Sequence, residues 1–320
     1  MLRSTLIYLS KADWARQMVT RWSFAWKAAS RFVAGEKLED AIRVVQALNQ
    51  KGINATLDHL GEHTTNPDEA RRSTQEILDI LDCIHSSSVS SNVSIKLTQI
   101  GMAVDEVLCF ANLEKILRHA QETGLFVRID MEDSPWVDTT LELYRQARVG
   151  RGYQNLGVVI QSYLYRSESD VRWLAEEGAR VRLCKGAYKE PPDIAYPRKA
   201  DVDASYDRLA QALMYGSLAL NSPELSQDGI IPPIPAFATH DERRIENIIA
   251  YARKINLPKR ALEFQMLHGI RRDLQEKLAR EGYPVRVYVP YGTEWYPYFT
   301  RRLAERPANV WFFLSNFFRR

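Results

Sequence analysis

The sequence predicts an α/β fold, a (β/α)8 TIM-like barrel behind an N-terminal helical arm. Three observations carry this. From Gly52 onward eight short β-rich runs alternate with longer helical patterns, and a parallel return needs a crossover long enough to hold a helix. Most runs end in a polar or charged residue, as active barrels require at the carboxyl ends of their strands. The 320 residues, 45% of them hydrophobic, suffice for one large core.

In chain order, residues Trp14 to Gln50 place Trp14, Trp22, Phe24, Trp26 and Phe32 at helical spacing before the amphipathic run Leu38 to Leu48. This predicts a helical arm over 1–50 and a barrel over 51–320. The predicted strands are Ala55–Asp58, Val93–Leu97, Phe126–Asp130, Gly157–Gln161, Arg180–Cys184, Ala236–Thr239, Leu262–Gln265 and Arg286–Val289. Helices are expected over Asp68–Ser86, Leu113–Thr123, Asp138–Arg148, Ser167–Glu177, Ser205–Leu220, Glu242–Ile255 and Ile270–Arg280. The stretches Lys189 to Val202 and Asn221 to Pro235 read as surface insertions.

Composition removes several function classes. With 43 basic and 40 acidic side chains the net charge is only +3, too weak a field to suggest a nucleic-acid partner. Cys83, Cys109 and Cys184 are odd in number and widely spaced, which disfavours a disulfide framework and a zinc site and suggests a reducing, cytoplasmic setting. Met1 to Ser10 does not read as a signal peptide, and no apolar run is long enough to span a bilayer. His59 and His63 have a helical i, i+4 spacing, but Gly61 and Asn66-Pro67 argue for a loop there, and no metal is expected. His240 and His268 each follow a strand, where a structural role is the default. Gly150-Arg151-Gly152 precedes a strand and opens no helix, so it is no dinucleotide fingerprint.

Three groups could carry chemistry. In Arg180-Val-Arg-Leu-Cys-Lys-Gly-Ala-Tyr188, alternation puts Arg182 on one face with Arg180 and Cys184, and Gly186 permits close approach of a ligand. A buried arginine there demands an anionic or electron-rich partner, in a structural ion pair or a ligand. Tyr298, Arg301 and Glu305 share one face of the last helix, with Arg302 about 100° round, a geometry suited to gripping a carboxylate as well as to a solvated helix face. Lys96 and Asp130 end neighbouring strands, where an ion pair across the barrel mouth is natural.

These residues resemble the proline dehydrogenase family from about Ala55 to Arg320. The segments are Ser94-Ile-Lys-Leu97, Arg128-Ile-Asp-Met131, Val159-Ile-Gln161, Arg182-Leu-Cys-Lys-Gly-Ala-Tyr188, Ala238-Thr-His240, Glu263-Phe-Gln265, Tyr288 within Val287-Tyr-Val-Pro-Tyr-Gly292, and Tyr298-Phe-Thr-Arg-Arg-Leu-Ala-Glu305. Cys184 departs from the usual Val, and Lys189 stands where some members carry an aromatic residue.

The resemblance implies FAD-dependent oxidation of L-proline to pyrroline-5-carboxylate by hydride transfer to flavin N5. Arg301, Arg302 and Lys96 would take the proline carboxylate, Tyr288 and Tyr298 would wall in the ring, and Asp130 would hold Lys96. Arg182 would sit near flavin N5 and Gln161 at the pyrimidine edge. Met131, Lys185, Gly186, Ala187, Thr239, His240 and Glu305 would hold the rest of FAD. Asp130 and Arg182 are the catalytic pair of this reading. It further implies a monofunctional enzyme that passes its product to a separate pyrroline-5-carboxylate dehydrogenase, and its electrons to a membrane quinone from the inner face of the membrane. The aromatic stretch Asn309 to Arg320 fits an interfacial contact, or packs on the barrel or the arm. Three alternatives stand beside this: a flavoenzyme acting on hydroxyproline or another cyclic imino acid, a barrel aldolase using Lys96 or Lys185 as a Schiff base, and a non-catalytic binding module.

Overall fold

The computed structural model describes residues 26, 28–61 and 64–305. The chain runs α1 (Leu38–Asn49), β1 (Asn54–His59), α2 (Pro67–Ser87), β2 (Ser91–Ile95), α3 (Glu106–Glu122), β3 (Val127–Ile129), α4 (Val137–Arg145), β4 (Leu156–Gln161) and α5 (Ser167–Glu176). It continues through β5 (Arg180–Cys184), α6 (Lys199–Ala219), β6 (Pro235–Ala238), α7 (Glu242–Lys254), β7 (Glu263–Leu267), α8 (Arg272–Arg280), β8 (Val285–Tyr291) and α9 (Trp295–Glu305). All eight strands pair in parallel in sequence order, and β8 closes on β1 from Asn54 opposite Arg286 to His59 opposite Tyr291. The predicted (β/α)8 barrel is therefore the observed fold.

Local chemistry explains the elements. Helix α2 starts where the Asn66 side chain accepts from the Glu69 backbone N–H at 3.0 Å and Pro67 supplies a first-turn φ. Its buried side, Ala70, Thr74, Ile77, Leu81 and Ile84, repeats every three or four residues. Strands β2 and β4 are buried along their whole length, because their outward side chains meet helices and their inward ones fill the barrel. In β5, Val181 and Leu183 are buried in the main apolar core, while the alternate residue Arg182 joins the network inside the barrel.

Three expectations need correction. Helix α3 begins at Glu106, seven residues before its predicted start, because Asp105 caps it by accepting from the Leu108 N–H at 2.6 Å. The stretch after Lys189 is helical from Lys199 onward. The stretch from Asn221 to Pro235 is no surface insertion throughout, since its middle plugs the amino-terminal end of the barrel. There Arg286 Nη2 donates to the Gly229 carbonyl at 2.6 Å, and Asn92 Nδ2 donates to the Ile230 carbonyl at 3.1 Å. Gly229 has φ +75°, and a Cβ there would lie 2.3 Å from Asn54 Oδ1, so the plug requires glycine.

Of the expected arm, Trp14, Trp22 and Phe24 lie outside the described residues, as do His63 and the aromatic stretch from Asn309. Trp26, Ala29, Phe32 and Val33 pack with Trp295, Tyr296, Tyr298 and Phe299 of α9 in a second apolar cluster. Across it Trp26 and Trp295 have ring centroids 5.5 Å apart. The back of α9 is thereby buried, which fixes the helix over the carboxyl end of the barrel.

Candidate active site

A cavity of about 620 Å³ opens at the carboxyl ends of the strands. Fourteen of the fifteen residues expected at the site line it: Lys96, Asp130, Met131, Gln161, Arg182, Lys185, Gly186, Ala187, Thr239, His240, Tyr288, Tyr298, Arg301 and Arg302. The fifteenth, Glu305, ends α9, and its side chain lies outside the described residues.

The centre of the cavity is a network around Asp130, one residue beyond β3. Its Oδ1 accepts from Arg182 Nη1 at 2.8 Å and from the Ser94 hydroxyl at 3.2 Å, and its Oδ2 accepts from the Tyr288 hydroxyl at 2.7 Å. Arg182 also donates through Nε to Gln265 Oε1 at 2.5 Å, and its guanidinium stands 5.4 Å from the centre of the Tyr288 ring. Gln265 Nε2 in turn donates to Glu263 Oε1 at 2.6 Å, as Arg286 Nε does at 2.9 Å. The buried arginine of β5 thus has its anionic partner within the protein. Arg128 rests differently: among the described residues its guanidinium meets the carbonyls of Val158 and Arg180 and the Phe126 ring, and burial holds its pKa well below the usual arginine range.

Asp130 is not the main holder of Lys96. The ammonium lies 2.8 Å from Asp58 and 3.8 Å from Asp130. Asp58 sits opposite Ser94 in the β1–β2 register, so it shares a face with Lys96 two residues on. Burial works against the charge on Lys96, but the two carboxylates outweigh it and keep the ammonium above its ordinary range.

Tyr288 is also not at the end of its strand, as β8 continues to Tyr291. Pro290 hides this in the sequence, because proline cannot donate to a ladder. The β7–β8 pairing stops at Tyr288, so beyond it the strand pairs only with β1 and the missing N–H can fall on the unpaired side. From α9, the Arg302 guanidinium lies 5.0 Å from the centre of the Tyr298 ring, and Arg301 opens on the same cavity.

The other side of the cavity is built from the exits of β3 to β6. Gln161 donates both amide hydrogens, to the carbonyls of Met131 at 2.9 Å and Glu132 at 3.1 Å, while its Oε1 is buried and has no hydrogen-bond partner among the described residues. That leaves an acceptor awaiting an N–H donor. Gly186 has φ +113°, and a Cβ there would lie 2.3 Å from the Tyr163 ring. The glycine is needed for packing on Tyr163 and not, on that side, for approach of a ligand. Lys185 bridges Asp203 at 2.6 Å and Asp241 at 2.7 Å. Burial disfavours the charge of both carboxyls, yet Lys185 and Lys199 hold them below their ordinary range. Thr239 Oγ1 accepts from the Asp241 N–H at 3.1 Å, and His240 Nε2 accepts from the Leu267 N–H at 3.0 Å, which fixes the imidazole. Burial pushes the Cys184 thiol up to about 12, so it stays protonated, and it holds the His268 imidazole down at about 4.

Tyr188, Leu267 and Asp241 also line the cavity and were not singled out from the sequence. Tyr188 follows the predicted strand by four residues, and its place in the Lys185-Gly-Ala-Tyr188 run was the available signal. Among the described residues no group of three or more His, Cys, Asp and Glu gathers as a metal would need.

Comparison with known proteins gives the family. The family model described as proline dehydrogenase matches residues 41–314. Proline dehydrogenase of Deinococcus radiodurans is 43% identical over 291 residues, 90% of this chain and 89% of the relative. Proline dehydrogenase 1 of Bacillus subtilis is 38% identical over 323 residues, 98% of each chain. Among solved structures, proline utilization A from Bdellovibrio bacteriovorus inactivated by N-propargylglycine superposes with a TM-score of 0.79 at 28% identity, over 88% of this chain and 33% of that one. A match over nearly the whole barrel, on a chain whose strands bring the resembling segments to one cavity, makes this protein a member of the proline dehydrogenase family, oxidoreductases acting on CH–NH donors.

Proposed function

We propose that the chain oxidises L-proline to 1-pyrroline-5-carboxylate, the first step of proline catabolism to glutamate, with FAD held in the barrel mouth as hydride acceptor. The observation that carries this reading is the division of one cavity into two sides. On one, Lys96, Arg301 and Arg302 bring three cations to a space walled by Tyr288 and Tyr298. On the other, Gln161 offers a buried, unsatisfied acceptor that suits the ring N–H of an isoalloxazine.

Bound FAD supplies a two-electron acceptor at N5. The chain's residues bind and orient. The cations take the substrate carboxylate, Tyr288 and Tyr298 fit the pyrrolidine ring, and Asp130 fixes Arg182 and Tyr288 in one arrangement. Met131, Lys185, Gly186, Ala187, Thr239, His240 and Glu305 complete the cofactor side. Tyr288, tied to Asp130, crowds the ring position where 4-hydroxyproline carries its hydroxyl, which favours proline. Lys96 does not suit Schiff-base chemistry, since two carboxylates stabilise its charged form.

The purified protein should show a flavin band in the visible that bleaches on anaerobic addition of L-proline and far more slowly with 4-hydroxyproline. Absence of the band after incubation with FAD, or a band that proline leaves unchanged, overturns the reading.

The proposal extends to a membrane quinone as electron acceptor at the inner face of the membrane, and to a separate pyrroline-5-carboxylate dehydrogenase that consumes the product. Among the described residues no helix is long and apolar enough to cross a membrane. The support is chemical: Trp311, Phe312, Phe313, Leu314, Phe317 and Phe318 precede Arg319 and Arg320, which suits an anionic interface. Deleting residues 311–320 should abolish co-sedimentation with anionic vesicles and quinone reduction while sparing activity with a soluble dye. Retention of both sinks the membrane contact.

A further inference from the structure

Glu190 takes no part in the chemistry described so far, yet it joins three consecutive loops at the cavity. It lies on the loop after β5. Its Oε1 accepts from the Ser134 backbone N–H at 2.8 Å and its Oε2 accepts from the Ser134 hydroxyl at 2.6 Å, on the loop after β3. Its Oε1 is also 3.4 Å from the Tyr163 hydroxyl, on the loop after β4. Burial and the Glu190 charge both push that hydroxyl up, so it remains a donor.

The loops after β4 and β5 interlock elsewhere as well. The Tyr163 N–H donates to the Lys185 carbonyl at 3.0 Å, the Tyr196 N–H donates to the Tyr163 carbonyl at 2.8 Å, and Leu164 bridges Ala195. The Tyr163 ring occupies the side of Gly186 where a Cβ would project. Each anchor is two to four residues from a lining residue of the proposed cofactor side: Ser134 from Met131, Tyr163 from Gln161, and Glu190 from Gly186 and Ala187. The proposed substrate cations come from the residue after β2 and from α9, which the clamp does not touch.

We infer that Glu190 is a positioning residue for the cofactor side of the cavity, a carboxylate clamp that sets the loops after β3, β4 and β5 in the spacing that FAD requires. The inference rests on the flavin reading proposed above. It assigns cofactor affinity, rather than substrate affinity, to a residue outside the cavity lining.

The test compares apo wild type, Glu190→Ala, Glu190→Gln and Ser134→Ala by titration with FAD, read as flavin absorbance and fluorescence. Glu190→Ala should weaken FAD binding about tenfold or more, the scale of losing charge-assisted hydrogen bonds. Glu190→Gln, which can still accept from the Ser134 N–H and donate to its hydroxyl, should restore most of the affinity. Ser134→Ala should weaken binding by a smaller factor, and adding it to Glu190→Ala should cost little more. With FAD saturating, the proline KM should stay within about threefold of wild type, and the apo melting temperature within about 3 °C. Unchanged FAD affinity in Glu190→Ala overturns the clamp. So does a loss shared equally by FAD affinity, proline KM and apo stability, because that marks a general structural role. If wild type itself takes up no FAD, the flavin reading fails instead, so the two failures are distinguishable.

Discussion

Replacing Arg301 or Arg302 with Met is expected to raise the proline KM by about tenfold to more than a hundredfold while flavin stays bound. Each arginine would donate charge-assisted hydrogen bonds to the substrate carboxylate, and losing one such contact costs about 1.5–3 kcal/mol, with each 1.4 kcal/mol a factor of ten. The two variants should differ. Arg302 is buried, 8% exposed, and its guanidinium faces the Tyr298 ring, so its loss also loosens one wall of the ring pocket. Arg301 is half-buried and contributes charge alone. The Arg302 variant should therefore lose the more, and pyrrolidine, which lacks the carboxylate, should bind the Arg301 variant as it binds wild type and the Arg302 variant more weakly. Steady-state kinetics with proline and competition with pyrrolidine measure this. Near-normal proline affinity in both variants removes the arginine clamp.

The barrel was legible because its signal is repeated. Eight alternations of period 2 and period 3.6 survive errors of a few residues at any one boundary. The boundaries failed where a single local interaction decides them. The Asp105 cap adds two turns to α3, and Pro290 lies inside a strand that a proline would ordinarily end, because only one neighbour pairs there. The plug at Gly229 was illegible for a different reason. Its contacts with Asn54, Asn92 and Arg286 join residues 57 to 175 positions apart, and nothing local marks them.

At the site, residue types and strand ends identified who is present but not who pairs with whom. Lys96 has two carboxylates in reach, and only the β1–β2 register shows that Asp58 is the nearer. Gly186 marked a close approach correctly, but the approaching group is Tyr163. Arg182 and Arg128 take the two kinds of partner that a buried guanidinium admits, a carboxylate for the first and carbonyls with an aromatic face for the second, and charge reasoning alone does not say which arginine takes which.

Replacing Asp130 with Ala should lower the proline kcat/KM by about a hundredfold or more, the scale on which a misplacement of about 1 Å costs turnover. The cause is loss of position rather than of a proton carrier. Asp130 accepts from Arg182, Tyr288 and Ser94 at once, and without it Arg182, 6% exposed, loses its nearest counterion. Removing one partner of a buried pair costs about 3 kcal/mol of stability, at the lower end of the usual range because Gln265 and Ser94 still hold the guanidinium. Lys96 should be little affected, since Asp58 remains at 2.8 Å. Asp130→Asn separates shape from charge. Its carbonyl can still accept from Arg182 and its amide can donate to the Tyr288 oxygen, so activity should fall between wild type and Asp130→Ala. Urea unfolding with steady-state kinetics on both variants reads the two effects. Turnover within threefold of wild type in Asp130→Ala, or an Asn variant as impaired as the Ala variant, would show that the network around Asp130 does not set the geometry of the reaction.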